Sequence, residues 1–230
     1  MSRFATARDL LASRFPEALP AAQRSWSAVP TGIAALDRIL PSGGFQRGRL
    51  STWTPAIGSA ALLRAACLHT VAGGERTAWI DAGHAVAGAC WRPAPVLVRP
   101  PNPLAALRAT EELARSGGFA LIVLDGAEPE TTELVRLSRA AREGSSALVL
   151  LSPVTALATL RLAIRPLLGG YTWRRSRTGD ADDIRTVQVQ VEARASGWFA
   201  HETISLSLWR DDLRLSVETG RPDRRGERHR

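Results

Sequence analysis

Lysine is missing from all 230 residues, and each of the 30 basic residues is arginine. A phosphate-gripping loop of the form G-x-x-x-x-G-K-[ST] uses a lysine ammonium to reach the β- and γ-phosphates, while backbone N–H groups cradle them. The planar head of arginine is a poor substitute for that point charge. Ordinary P-loop ATP hydrolysis is therefore disfavoured, although a general arginine habit accounts for part of the absence. Cysteine is almost as scarce: Cys67 and Cys90 stand at no metal-ligand spacing, which suits a reducing cytosol. Cys67 lies in an apolar helical run and reads as core. No apolar run approaches the ~20 residues that cross a bilayer, and no signal-peptide h-region is found. The expectation is a soluble, cytoplasmic protein without a membrane partner. His84 and His201 have no cysteine or carboxylate constellation around them and read as structural. No Ser–His–Asp, metal or paired-carboxylate arrangement stands out, so neither catalytic residues nor a cofactor are expected.

What is present is an ordinary globular composition, 45% apolar and 23% charged, on a chain long enough to bury a substantial core. The formal charge of +8 suits an acidic partner such as DNA, or simply an arginine-rich soluble surface. Residues 2–14 read as an amphipathic helix with Phe4, Ala7 and Leu11 on one stripe, and 15–30, with three prolines, as a linker. Thr31 is placed as the N-cap of a helix that runs through Ile33, Leu36 and Ile39 to the break at Pro41–Gly44.

Strand and helix then alternate. Strands are expected at Leu50–Thr54, Arg76–Asp81, Val96–Arg99, Ala120–Leu124 and Ala147–Leu151. Helices are expected at Ser59–Ala72, after the Asn102 cap, and at Glu130–Glu143. Continuous apolar strands spaced by helices predict a parallel sheet covered on both faces. After Pro153 the period changes to two, with Leu160, Leu162 and Ile164, then Val187, Val189 and Val191, then Ile204, Leu206 and Leu208. Leu213–Val217 reads as a further strand. These are expected as antiparallel strands extending the sheet, with 174–185 a mobile loop. The chain thus divides into 1–30, helix and linker; 31–219, an α/β domain with a β extension; and 220–230, a disordered basic tail.

The order of these segments resembles the core of the bacterial recombinase RecA over roughly residues 28–155. Thr31-Gly32, Leu36-Asp37, Gly43-Gly44-Phe45 and Arg47–Leu50 are similar to the stretch leading into that family's phosphate loop. Trp79–Ala85 is similar to the strand and turn carrying its catalytic glutamate, and Leu121–Asp125 to its Walker B strand. The departures matter more. In Thr54–Ala61 the turn is short, Ser59 or Ala60 stands where the lysine belongs after Gly58, and alanine replaces the hydroxyl that would ligate Mg²⁺. Gly83 holds the place of the glutamate, and Ser152-Pro153 that of a γ-phosphate sensor. Asp125 alone remains, and an aspartate ending a buried strand also serves as a turn residue. Each such loss removes several kcal/mol of transition-state stabilisation.

A RecA-like core with a dead site and C-terminal strands resembles the ImuA family. The resemblance implies a non-catalytic adaptor in SOS mutagenesis, the damage-induced, error-prone translesion DNA synthesis. Its implied partners are an ImuB-like Y-family polymerase homologue, an error-prone C-family polymerase and RecA, with a nucleoid location when active. A SulA-like inhibitor of cell division and a DNA-binding RecA-like module are the alternatives. Phe4 and Ala7 match an F-x-x-A docking pattern, or form a helix packed on the protein's own core. Trp198, Phe199 and Trp209 are interface anchors or sheet core. Trp173 with Arg174, Arg175 and Arg177 is the candidate DNA contact, diluted by Asp180, Asp182 and Asp183. Arg136, Arg139 and Arg142 contact phosphates or form a solvated helix face.

Overall fold

The computed structural model describes residues 27–86, 95–153, 156–175, 178 and 181–207. A small antiparallel pair, β1 (Ala28–Val29) with β2 (Phe45–Gln46), flanks a short helix, α1 (Ala34–Arg38), and a 3₁₀ turn at Pro41–Gly43. The main elements follow: β3 (Leu50–Trp53), α2 (Ser59–Ala72), β4 (Thr77–Asp81), β5 (Val96–Val98), α3 (Pro103–Arg115), β6 (Leu121–Asp125), α4 (Thr131–Glu143) and β7 (Ala147–Leu151). Three long strands complete the fold: β8 (Leu160–Arg175), β9 (Ala181–Ala195) and β10 (Trp198–Ser207). The last eight strands form one sheet in the order β10-β9-β8-β3-β7-β6-β4-β5. From β8 to β5 all neighbours are parallel; the β8–β9 and β9–β10 pairs are antiparallel, so β9 alone is reversed in this sheet.

Strand pleating explains the continuous apolar runs, because successive side chains enter opposite layers. Leu121 and Val123 of β6 face α1 and α2 along with Trp53, Trp79, Leu62 and Ala66, whereas Ile122 and Leu124 face α3 and α4. Leu160, Leu162, Ile164, Val187, Val189, Val191 and Ile204 extend the first layer under the C-terminal strands. The second layer ends near β3, so the opposite face of β8–β10 has no helix among the described residues.

Several expectations change. Thr31 is not the N-cap: α1 starts at Ala34, while the Thr31 hydroxyl donates to Asp37 (2.7 Å) and accepts the Ile33 N–H (3.1 Å). The expected linker holds strand β1 at its end, because Ala28–Val29 finds partners in Phe45–Gln46. β8 pairs parallel to β3 and only its other edge is antiparallel, so the switch in direction comes one strand later. Most of the expected mobile loop is strand: β8 reaches Arg175 and β9 starts at Ala181. The amphipathic helix, Leu213–Val217 and the basic tail lie outside the described residues. No helix among the described residues is long and apolar enough to cross a membrane.

Candidate functional site

The parallel strands end on a common edge, where open α/β sheets bind ligands at points of strand-order reversal. β3 and β4 are consecutive but separated by β7 and β6, which makes such a point. Register aligns Trp53, Leu151, Asp125 and Asp81 in one row across the strand ends. The structure thereby brings Gly58, Ser59, Ala60, Gly83 and Asp125 to one edge of the sheet. Gly83 and Asp125 are immediate neighbours: the Ala82 N–H donates to the Asp125 carbonyl at 2.8 Å, and a Cβ on Gly83 would lie 3.7 Å from Gly126 Cα.

One side of the turn after β3 is packed. Gly58 adopts φ +92°, and the space beside it is filled: a Cβ there would lie 2.5 Å from Leu206 Cδ1 and 3.4 Å from Ile164 Cδ1. Methyl groups of β10 and β8 thus occupy the side that a glycine gives to an approaching ligand. The Ser59 hydroxyl is committed to the turn, donating to the Ala56 carbonyl (2.7 Å) and accepting its N–H (3.2 Å). Ala60 is exposed and offers no polar side chain. Ile57, at the tip, is 67% exposed. No cationic side chain lies in Thr54–Ala61, so the turn itself offers a phosphate backbone amides but no compensating charge.

Two carboxylates sit beside each other at the ends of β4 and β6, a pairing that sequence reading missed. Asp81 is fully buried and accepts the N–H groups of Ala85 (2.9 Å) and Val86 (3.1 Å), with Arg99 Nε at 3.3 Å. Arg99 also donates to the Val86 carbonyl. Asp81 is therefore a clasp for the turn after β4. Burial and the adjacent Asp81 charge push Asp125 up from 3.8 to about 6, while hydrogen bonds from Trp79 and the Gly126 backbone pull the other way. The available signal was that Arg76–Asp81, like Ala120–Asp125, ends an apolar strand on aspartate. His84 bonds the Pro100 carbonyl through Nε2 at 3.0 Å, in keeping with a structural role. No group of three or more His, Cys, Asp or Glu able to hold a metal occurs among the described residues.

Trp198 is half-buried against the core, whereas its neighbour Phe199 is 53% exposed. Trp173, 54% exposed, stands near the far end of β8 with Arg174 and Arg175. Trp198 and Phe199 lie on β10, three strands across from β3. Phe4, Ala7, Leu11, Arg177 and Trp209 lie outside the described residues. Arg136 pairs with Glu111 (2.5 Å) and Arg139 with Glu143 (2.7 Å), which supports a structural helix face for these two. No protein-family model matches this chain, and no curated protein matches it.

Proposed function

We propose that this protein is a non-catalytic adaptor of damage-induced, error-prone translesion synthesis, built on a RecA-like core whose nucleotide site has been lost. The reading begins from the resemblance of residues 28–155 to the recombinase core and of the whole plan to the ImuA family. The observation that carries it is the filled space at Gly58, where Leu206 lies against the turn expected to hold phosphates. The committed hydroxyl of Ser59, the glycine at Gly83 and the absence of any lysine point the same way. A frame without phosphate grip has only its surfaces to work with, and an adaptor uses surfaces.

In this reading the chain holds an ImuB-like Y-family polymerase homologue, and through it an error-prone C-family polymerase, with RecA as a further contact. Affinity capture of the full chain from cells after DNA damage tests it. Recovery of a Y-family polymerase homologue is the expected result. Repeated capture without any polymerase subunit, from cells in which the chain itself is abundant, would overturn the reading.

A further inference from the structure

The face of β8–β10 opposite the core presents side chains in a regular grid. Pairing across the three strands gives a first row of Arg161, Arg194 and Phe199 and a second of Ala163, Glu192 and His201. The third row is Arg165, Gln190 and Thr203, and Gln188 and Ser205 continue it. Neighbours within a row stand ~5 Å apart and successive rows ~7 Å apart on a pleated sheet. Arg161, Arg165, Arg194, Phe199, His201 and Thr203 are all exposed.

Charge on this face is unbalanced. Within these rows Glu192 is the single carboxylate, and it is shared by Arg165 (3.0 Å) and Arg194 (3.2 Å). Arg161 makes no ion pair among the described residues and stands directly across from Arg194. Two arginines opposed in register repel each other in the free protein, and a bound anion relieves that repulsion. The aromatic component is adjacent: the Arg194 guanidinium lies 5.0 Å from the Phe199 ring centroid, and the His201 ring centroid is 5.8 Å from that of Phe199.

We infer that this open sheet face binds single-stranded nucleic acid, with Arg161, Arg194 and Arg165 along the phosphates and Phe199 and His201 as the platform for unstacked bases. Exposed aromatics beside arginines on an uncovered sheet are what single strands use, because every base has a π-face and the backbone carries the charge. A duplex keeps its bases stacked and leaves the ring unused. Phe199 is the only large apolar side chain in these rows, whose other members are arginine, glutamate, glutamine, histidine, threonine, serine and alanine; so polar a surface suits a sugar–phosphate backbone better than the apolar core of a protein interface. Gln188, Gln190, Thr203 and Ser205 add hydrogen-bonding groups that suit base edges or sugars. The inference does not rest on the adaptor reading and holds or fails separately from it.

Fluorescence anisotropy of the full chain with labelled oligo-dT, oligo-U and a duplex of equal length, across a salt series, tests this surface. Binding to a single strand at low salt, stronger than to the duplex, is expected; the two single-strand arms decide between DNA and RNA. Replacing both Arg161→Ala and Arg194→Ala is expected to weaken binding at least tenfold and to reduce the log–log salt slope by about 1.4. Phe199→Ala is expected to weaken it about fivefold to a hundredfold with the slope unchanged, and Phe199→Trp to retain it. Melting temperatures matching the parent show that each variant is folded. Absence of single-strand binding at low salt, preference for the duplex, or unchanged binding in the folded grid variants would overturn the inference. So would binding that disappears only on neutralising Arg221, Arg224, Arg225 and Arg228, or capture of poly-glutamate without capture of either oligonucleotide.

Discussion

Gly58 combines a left-handed backbone, φ +92°, with a neighbouring methyl, Leu206 Cδ1, standing where a side chain would have to go. Gly58→Ala therefore meets both a backbone and a packing penalty, on the order of 1–3 kcal/mol. Chemical denaturation measures it, and in a double-mutant cycle Gly58→Ala should cost less in a Leu206→Ala background than in the parent, since only the packing component is relieved. Asp125 gives a second handle. Its folded-state value, about 6, lies above the ordinary 3.8, so the folded protein binds the extra proton between these values. Stability from this group is present below pH ~4, falls as pH rises through ~6, and stays lost above it. Asp125→Asn should therefore be more stable than the parent at pH 7.5, by roughly 1–2 kcal/mol after allowing for its partial exposure, with the advantage gone near pH 4. Thermal melts of both proteins across pH read the difference directly. Cys67 is buried in α2, and burial pushes its thiol up to about 12. It should resist alkylation until the chain unfolds, as peptide mapping of labelled native and denatured protein would show.

Among the elements, α3 shows how local chemistry sets a boundary. The Asn102 side chain accepts the Ala105 N–H at 2.8 Å, and Pro103 occupies the first turn. Asn102→Ala should cost about 1 kcal/mol. Gly144 should be less tolerant, because a Cβ there would press on the Ala114 carbonyl where α3 and α4 end side by side. Gly144→Ala should lower the denaturation midpoint more than Asn102→Ala does.

The boundaries of α2 and β7 were legible because a residue-by-residue pattern specifies them: Ser59 to the Gly73-Gly74 stop, and a buried apolar run ending before Ser152. The length of β8 was not. The period-two pattern named only Leu160–Ile164, yet β8 continues past Pro166 and Gly169-Gly170, where a bulge between Pro166 and Tyr171 absorbs them and pairing with β9 resumes. Pairing over many residues decides such a strand, and no short window contains it. Thr31 shows a smaller displacement, since its hydroxyl makes a cap-like bond to Ile33, the residue just before the helix it was expected to open.

For the whole molecule, the sequence displayed the missing lysine, Ser59, Ala60 and Gly83, each of which is a local fact. It concealed the two features that depend on the fold: Leu206 reaching Gly58 from more than a hundred residues away, and Asp81 lying across from Asp125. The exposed grid on β8–β10 was likewise invisible until register put Arg161, Arg194 and Phe199 in one row. Together these describe a sheet whose C-terminal strands pack against the turn at its ligand edge and whose opposite face, at β8–β10, carries no helix among the described residues. Isothermal titration of the full chain with ATP in the presence of Mg²⁺ tests the proposed loss of the nucleotide site most directly. No saturable heat up to millimolar nucleotide is the expected result. A single-site isotherm in the micromolar range, lost on Gly58→Ala, would contradict it.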